Sequence, residues 1–278
     1  MFSPRGLISL DGFDYLLQQA QEPRNSQRNL TTLLDSLYCD FQSPQETYQC
    51  GKSRRQIARS VRKNAQYWGI LAVLRGLGTP SKILEVGCGN GDLSRFLSLS
   101  LDASVLGIDS NADLIRKQKA EGELRFQYVD LTKEQIEGEF DAVIGLHCCG
   151  NLSDKVIDTA INNSASLVCV PCCYGKIQDS LPRSKTLSER KIEMKYALKR
   201  ASYLEGYVDK KGSRASILLE IYRRLIDFDR IFVLKEAGYD AGFARITGEG
   251  IQSHGKLYSA SPLRSAIVAR KSNMCFAE

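Results

Sequence analysis

The chain has 278 residues, of which 43% are hydrophobic and 25% charged, and its formal net charge at pH 7 is +6. These are values of an ordinary globular protein, long enough for one catalytic domain and an accessory segment. No stretch has the length of a transmembrane span, and the N-terminus lacks a signal-peptide pattern, so we expect no membrane association. The nine cysteines then predict reduced thiols in a cytosolic or nuclear compartment.

Residues 1–78 are predicted to form a helical N-terminal segment. Two short amphipathic stretches, 13–19 and 30–38, precede a longer predicted helix at 54–75, whose apolar residues recur at helical spacing. Glycine and proline near residues 76–80 end this helix and mark a boundary.

The longer helix carries an unusual excess of positive charge. From residue 47 to residue 84 there is no aspartate or glutamate, whereas eight cations occur: Lys52, Arg54, Arg55, Arg59, Arg62, Lys63, Arg75 and Lys82. Residues 52–63 therefore predict contact with a phosphate backbone, such as that of RNA. The alternative is a solvated helix face without a partner.

A glycine-rich turn follows the first predicted strand of the second part of the chain. The apolar strand 82–86 enters the turn, and a predicted helix, 92–101, leaves it. Without a Cβ atom, the glycines of such a turn let the backbone approach a ligand closely. They are Gly87, Gly89 and Gly91.

Two acids beside this turn indicate which ligand fits. Glu85 precedes the glycines, and Asp92 stands where a dinucleotide-binding turn has its third glycine. Both acids would repel a pyrophosphate, which disfavours a nicotinamide oxidoreductase, and they suit a ligand with a cationic amino acid portion.

Two further acids follow the next two predicted strands. Strand 103–108 ends at Asp109, which lies 20 residues after Gly89, the position at which an acid accepts hydrogen bonds from ribose hydroxyls. Strand 124–129 is followed by Asp130 and Leu131. Either acid alone is also typical of a turn at a strand end.

From residue 79 onward strands and helices alternate, which predicts a parallel α/β sheet. Residues 79–278 are predicted to form one domain, with a helical insertion at about 176–214 over the active-site edge. The predicted strands are 82–86, 103–109, 124–129, 140–146, 167–171, 243–247 and 265–270, and the predicted helices are 92–101, 111–121, 153–163, 186–204 and 215–237.

A second cluster of reactive residues follows the fourth and fifth predicted strands. The sequences are His147-Cys148-Cys149-Gly150 and Pro171-Cys172-Cys173-Tyr174. Because ligands bind outside the carboxyl ends of parallel strands, both segments should line the site.

Three interpretations of this cluster remain open. His147 or Tyr174 could serve as the acid–base group of an acceptor pocket. The cysteines could hold zinc, although adjacent cysteines lack the usual C-x₂₋₄-C spacing, so we predict no metal. They could also be small buried core residues.

These motifs resemble known families. The glycine turn is similar to motif I of the class I S-adenosylmethionine-dependent methyltransferases. The Leu-His-x-Cys-Gly and Pro-Cys-Cys-Tyr-Gly-Lys elements resemble the methyltransferase-like domain family of the glutathione S-transferase C-terminal-domain-containing protein. A looser likeness extends to tRNA 2′-O-methyltransferases of the acceptor stem, whose zinc-finger segment this sequence lacks.

The resemblance implies a Rossmann-like, seven-stranded class I methyltransferase sheet, an α/β fold that ends in an antiparallel strand pair. It implies S-adenosylmethionine as the cofactor, with Asp130 placed against the adenine amino group. The residues that it assigns to the cofactor are Glu85, Gly87, Cys88, Gly89, Gly91, Asp109, Asp130 and Leu131.

The sequence therefore predicts an S-adenosylmethionine-dependent methyltransferase that acts on RNA, with tRNA as one candidate. The residues predicted nearest to the chemistry are His147 and Tyr174. The alternatives are a protein or small-molecule acceptor, or a non-catalytic module that binds S-adenosylmethionine or RNA.

Overall fold

The computed structural model of the chain describes residues 10–21, 38–41, 54–178, 182–191, 194–206, 214–246, 251–253, 256–258 and 264–271. Its helices are α1 (Leu10–Gln21), α2 (Arg54–Leu77), α3 (Asp92–Leu101), α4 (Ala112–Arg116), α5 (Leu152–Asn162), α6 (Lys185–Glu189), α7 (Lys195–Glu205) and α8 (Arg214–Glu236). Its strands are β1 (Tyr38–Phe41), β2 (Lys82–Val86), β3 (Ser104–Asp109), β4 (Leu124–Tyr128), β5 (Ala142–Cys148), β6 (Ser166–Pro171), β7 (Tyr239–Ile246), β8 (Ile251–Ser253), β9 (Lys256–Tyr258) and β10 (Arg264–Lys271).

The central sheet has the order β1-β7-β10-β6-β5-β2-β3-β4. Strand β10 is antiparallel to both of its neighbours, and the other paired strands are parallel. Seven of these strands confirm the predicted class I methyltransferase sheet, including its final antiparallel pair. The order of the strands reverses between the neighbouring strands β2 and β5, and ligands bind to sheets of this kind at such a switch point.

Two apolar cores cover the two faces of the sheet. Successive residues of a strand point to opposite faces, so Ile83 packs in one core and Leu84 in the other. Helices α2 and α3 cover one face, and α1, α5 and α8 cover the other. Within the described residues no helix is both long and apolar enough to cross a membrane.

The N-terminal segment contributes to this same sheet, which the sequence pattern did not indicate. Residues 38–41, at the end of the predicted helix 30–38, form the edge strand β1, which pairs with β7 in parallel; residues 30–37 lie outside the described residues. Phe13 of α1 packs edge-on against Phe228 of α8, with ring centroids 5.7 Å apart. The division of the chain at residue 78 stays a prediction.

Three further segments differ from the prediction. Helix α4 ends at Arg116 instead of residue 121, and the chain then turns at Gly122, whose φ is 54°. The predicted helix 186–204 is divided into α6 and α7. The hairpin of β8 and β9 was not predicted, since strands of three residues leave little periodicity to detect.

Candidate active site

A cleft of about 470 Å³ opens at the carboxyl ends of β2, β3 and β4. Its wall combines apolar strand ends with polar side chains, as ligand pockets commonly do. The residues that line it are Val86, Gly87, Ile108, Asp109, Ser110, Val129, Asp130, Leu131, Thr132, Asn151, Leu152 and Lys155. Four of the eight residues predicted to contact the cofactor are therefore found in this lining: Gly87, Asp109, Asp130 and Leu131.

The glycine turn is tied to the end of β3. The N–H groups of Gly87 and Cys88 both donate to the Ile108 carbonyl, at 2.8 and 3.0 Å. Gly87 and Gly89 have φ values of 71° and 54°, a region that favours glycine. A Cβ atom at Gly89 would meet no atom within 4 Å, so this part of the turn borders open space that a ligand can enter.

Gly91 serves the packing of the turn. A Cβ atom there would lie 2.6 Å from the ring of Phe126, and the residue has a left-handed conformation with φ 69° at the start of α3. Glycine is thus needed for close approach to a side chain of β4. Gly91 was predicted to contact the cofactor, but it is not among the described residues that line the cleft.

Asp109 joins the glycine turn to the cleft. Its carboxylate accepts a hydrogen bond from the Gly89 N–H at 2.9 Å and another from the Asn111 N–H at 2.8 Å. Asp109, the predicted ribose-binding acid, therefore also fixes the orientation of the glycine turn beside the cleft.

Asp130 is held by its own loop. Its carboxylate accepts from the Thr132 hydroxyl at 2.6 Å and backbone N–H at 3.1 Å, and it pairs with Lys133 at 3.0 Å. These hydrogen bonds, that from the Thr132 hydroxyl above all, lower the pKa of Asp130 to about 2, so Asp130 stays ionised at neutral pH.

Glu85 and Cys88 lie beneath the turn. Glu85 is buried and accepts a short hydrogen bond from the Ser94 hydroxyl. Burial raises its pKa to about 8, against the effect of that bond, and Asp92 and Asp109 add to the rise. Burial likewise raises the pKa of Cys88 to about 12. Neither residue is part of the described cleft lining.

Five residues of the lining were not predicted from the sequence motifs: Ser110, Thr132, Asn151, Leu152 and Lys155. Asn151, Leu152 and Lys155 lie at the start of α5. Ser110 directly follows the predicted acid Asp109, and Thr132 lies two residues after Asp130. The predicted helix 153–163, which begins directly after the loop that follows β5, could have indicated Asn151, Leu152 and Lys155. Lys155 brings a cation to a wall that otherwise carries two acids.

His147 occupies a strained bulge at the end of β5. The pairing with β6 shifts between Leu146 and Cys148, and His147 has a φ of 61°, which is rare for a residue with a Cβ atom. Its ring is exposed, and Nε2 lies 3.1 Å from the Gln66 amide oxygen of α2. Backbone conformations of this rare kind persist where the surrounding structure imposes them, and they occur often at functional sites.

Three thiols meet beside this bulge. The sulfur of Cys149 lies 2.8 Å from that of Cys172, and Cys172 lies 3.6 Å from Cys173. The cysteines come from the two strand ends that were predicted to come together, whereas spacing along either strand did not indicate which sulfurs would meet. Burial raises the pKa of Cys172 and Cys173, so without a bound cation these thiols stay protonated at neutral pH.

Tyr174 is buried and does not belong to the described lining of the cleft. Its hydroxyl donates to Asp227 of α8 at 2.5 Å, and burial raises its pKa well above the usual range. This placement gives the predicted acid–base role of Tyr174 no support, and we interpret Tyr174 as a structural residue.

A network of buried charges lies beside Tyr174 and connects α8 to neighbouring elements. Arg230 of α8 donates to Asp154 of α5 at 2.9 and 3.2 Å and to Asp227 at 3.0 Å. It also donates to the Gly150 carbonyl at 3.3 Å. The network therefore connects α8 to α5 and to the segment that follows His147.

Helix α7 lies next to the loop that follows β6. Glu205 near its end accepts from the backbone N–H groups of Tyr174 and Gly175, at 2.9 and 3.0 Å. Ala197 and Ala201 are buried, whereas the opposite face is exposed and consists of cations and tyrosines: Lys195, Tyr196, Lys199, Arg200 and Tyr203. Residues 54–63 of the predicted basic segment belong to α2, but their side chains lie outside what the structure describes.

Comparison with known proteins finds sequences that are similar to this chain. Residues 55–180 match a family model described as a methyltransferase domain. The glutathione S-transferase C-terminal domain-containing protein of Homo sapiens is 29% identical over 196 residues, which cover 65% of this chain and 30% of the relative. Its Mus musculus counterpart is 26% identical over 219 residues, covering 74% of this chain and 34% of the relative. The chain thus spans about a third of the length of these relatives.

The solved structures to which this chain is similar include two methyltransferases. The methyltransferase domain of bacterial CtHen1-C has a TM-score of 0.45 at 14% identity and covers 75% of this chain and 99% of its own. The plantazolicin methyltransferase BpumL in complex with SAH has a TM-score of 0.42 at 14% identity and covers 94% of this chain and 96% of its own.

Proposed function

We propose that this chain, which carries an S-adenosylmethionine-dependent methyltransferase domain, is an enzyme that methylates RNA. The observation that carries the RNA part is the exposed face of α7, where cations and tyrosines lie together on a helix that packs beside the loop that follows β6. The six described cysteines that are free thiols support a reducing, cytosolic or nuclear compartment.

The residues of the cleft fit the cofactor. Gly87 leaves room for close approach of the backbone, Asp109 supplies a carboxylate for ribose hydroxyls, and Asp130 supplies an ionised acceptor for an amino group. Lys155 suits the carboxylate of an amino acid portion. When bound, the cofactor supplies a methyl group on a positively charged sulfur.

The chain's own contribution to methyl transfer is positioning and proton removal. The acceptor must be held in line with the methyl group, because correct orientation supplies much of the acceleration of such a displacement. His147 is exposed at the end of β5, next to the loop that leads into α5. We assign it the role of accepting the proton that the nucleophile loses.

The face of α7 suits a single-stranded or loop region of RNA. Positions 196, 199, 200 and 203 are spaced to lie on one side of a helix, and the Arg200 guanidinium lies 5.3 Å from the centre of the Tyr196 ring. Cations bind phosphates, and exposed aromatic rings stack with unpaired bases. A protein acceptor would not require this combination.

The test is transfer of labelled methyl from S-adenosylmethionine into a lysate of cells that lack the protein, followed by ribonuclease or protease. We expect ribonuclease to release the label. Label that resists ribonuclease but not protease would refute the RNA acceptor, and absence of any label would favour a non-catalytic binding module.

A binding measurement tests the surface itself. We expect the double variant Lys199→Ala/Arg200→Ala to weaken binding of total tRNA. The slope of log affinity against log salt should become shallower by about 0.7 to 0.9 for each phosphate that the variant leaves unpaired. The control is Lys117→Ala/Lys119→Ala, which removes two exposed cations after α4. Equal weakening by both double variants would show that only net charge matters.

A further inference from the structure

The three thiols beside the His147 bulge form a compact group. The sulfurs of Cys149, Cys172 and Cys173 all lie within 4.8 Å of one another and are half-buried. The carbonyl oxygen of His147 accepts from Cys149 at 3.5 Å and from Cys172 at 3.2 Å. Methyl transfer as derived above uses none of these sulfurs.

The backbone that carries the thiols is held by contacts between distant parts of the chain. The Gly150 N–H donates to the Cys173 carbonyl at 2.9 Å, and the Cys172 N–H donates to the Cys148 carbonyl at 3.4 Å. Gly150 has a φ of 58°, and a Cβ atom there would lie 2.5 Å from the Lys176 carbonyl oxygen. The loops after β5 and β6 therefore keep one another in place, and the three sulfurs with them.

We propose that Cys149, Cys172 and Cys173 form a binding site for one thiophilic cation, Zn²⁺. Zinc binds thiolate sulfur at about 2.3 Å with tetrahedral angles, which places neighbouring sulfurs roughly 3.8 Å apart. The Cys172–Cys173 distance of 3.6 Å already agrees with this value. The Cys149–Cys172 distance of 2.8 Å must open by about 1 Å, which a rotation of two side chains can supply.

The donor set determines the kind of ion. Soft sulfur ligands select zinc or copper(I) over Mg²⁺ and Ca²⁺, which prefer oxygen. On binding, the three thiol protons are released to the solvent. Three protein ligands leave one tetrahedral position for water or another ligand, an arrangement found in zinc sites that are not purely structural. The ion would also cross-link the end of β5 to the loop after β6.

The experiment uses the full chain, purified under reducing conditions, stripped with a chelator and reloaded with zinc alone. We expect about one zinc ion per chain to remain bound to those three sulfurs after gel filtration. Replacement by Co²⁺ should produce the sulfur-to-cobalt charge-transfer absorption of thiolate ligation. Zinc should also raise the melting temperature of the stripped protein.

The variants Cys149→Ser, Cys172→Ser and Cys173→Ser should each weaken zinc binding by more than roughly 100-fold, since loss of an outer-shell partner alone costs 10- to 100-fold. The matched control is Cys169→Ala, which removes a buried thiol of β6 and should keep the full zinc content. Circular dichroism establishes that each variant is folded.

Three results would overturn the proposal. The first is a folded wild-type chain that binds no zinc after reloading. The second is unchanged zinc content in all three serine variants, which would place the ion elsewhere. The third is a Cys149–Cys172 disulfide that persists in the reduced preparation, because its sulfurs could not ligate an ion.

Discussion

The proposed active site has a cofactor side at the ends of β2, β3 and β4 and a proposed acceptor side at the ends of β5 and β6, and the two sides are built from opposite kinds of polar contact. On the cofactor side, Asp130 is bound by residues two and three positions further along the chain, and its surroundings are exposed. On the acceptor side, Arg230 reaches Asp154 across 76 positions, and both side chains are buried. The carboxylate of Asp130 is thus held within its own loop, whereas the acceptor side depends on the docking of α8.

This difference predicts different consequences of mutation. An exposed ion pair contributes little to stability, whereas loss of one partner from a buried network leaves a charge without compensation. Substitutions on the acceptor side should therefore change the stability of the fold. Those on the cofactor side should change ligand binding while leaving the fold intact.

The largest effect is expected from Arg230→Ala, which removes one of the two arginine partners from each of the buried carboxylates of Asp154 and Asp227. We expect the free energy of unfolding to fall by about 3–5 kcal/mol. Urea unfolding followed by circular dichroism measures it.

The control for this change is Lys82→Ala, which breaks the exposed pair with Glu139 and should leave the free energy of unfolding nearly unchanged. If Arg230→Ala does not accumulate as folded protein, Arg230→Lys keeps a charge and should show a smaller loss. A loss for Arg230→Ala no larger than that of the control would refute the contrast between the two sides.

The next largest effect concerns His147. His147→Ala should lower kcat for methyl transfer by about 100-fold or more and leave the affinity for S-adenosylmethionine nearly unchanged. Transfer assays and calorimetry measure the two quantities separately.

His147→Gly separates the strain from the chemistry. Glycine tolerates the φ of 61°, so this variant should be more stable than His147→Ala by about 1 kcal/mol, yet equally slow. Full turnover in either variant would show that His147 has a structural role only.

On the cofactor side, Asp109→Ala should weaken S-adenosylmethionine binding by about 10- to 100-fold, because hydrogen bonds to charged groups contribute roughly 1.5–3 kcal/mol. Isothermal titration calorimetry measures the change. Asp113→Ala is the control, since Asp113 is exposed and pairs with Arg116. Equal affinities of the Asp109 variant and the wild type would remove Asp109 from the cofactor site.

The last prediction concerns an effect spread over several pH units, that of the buried carboxyl of Glu85. Its pKa of about 8 in the folded protein lies above the ordinary glutamate value of 4.5. The stability that it contributes is therefore complete below about pH 4.5 and is lost as pH rises through about 8. Between these values the slope should reach at most about 1.4 kcal/mol per pH unit.

Urea midpoints across this pH range test the slope. Glu85→Gln should flatten the dependence, whereas Glu123→Gln, at an exposed position, should not. Stability that rises with pH over the same range in wild type but not in Glu85→Gln would contradict the assigned direction.

Much of the fold could be predicted from the sequence, because local patterns specify the elements around the cofactor. Helix α3 has the predicted ends, 92 and 101, and strands β2, β3 and β4 begin and end within one residue of the predicted positions. Edge strand β1 was missed, because four residues at a sheet edge carry too little periodicity to be recognised. The roles assigned to Glu85, Asp109 and Asp130 stay predictions until binding is measured.

Taken alone, the sequence determined the glycine turn, the acids at the strand ends and the alternation of strands and helices, since each depends on neighbouring residues. Only the tertiary structure decided that Tyr174 is buried against Asp227 and that Cys149 meets Cys172 and Cys173. Those contacts join segments that are far apart along the chain. No local periodicity or spacing encodes them, because they arise when β5, β6 and α8 pack together.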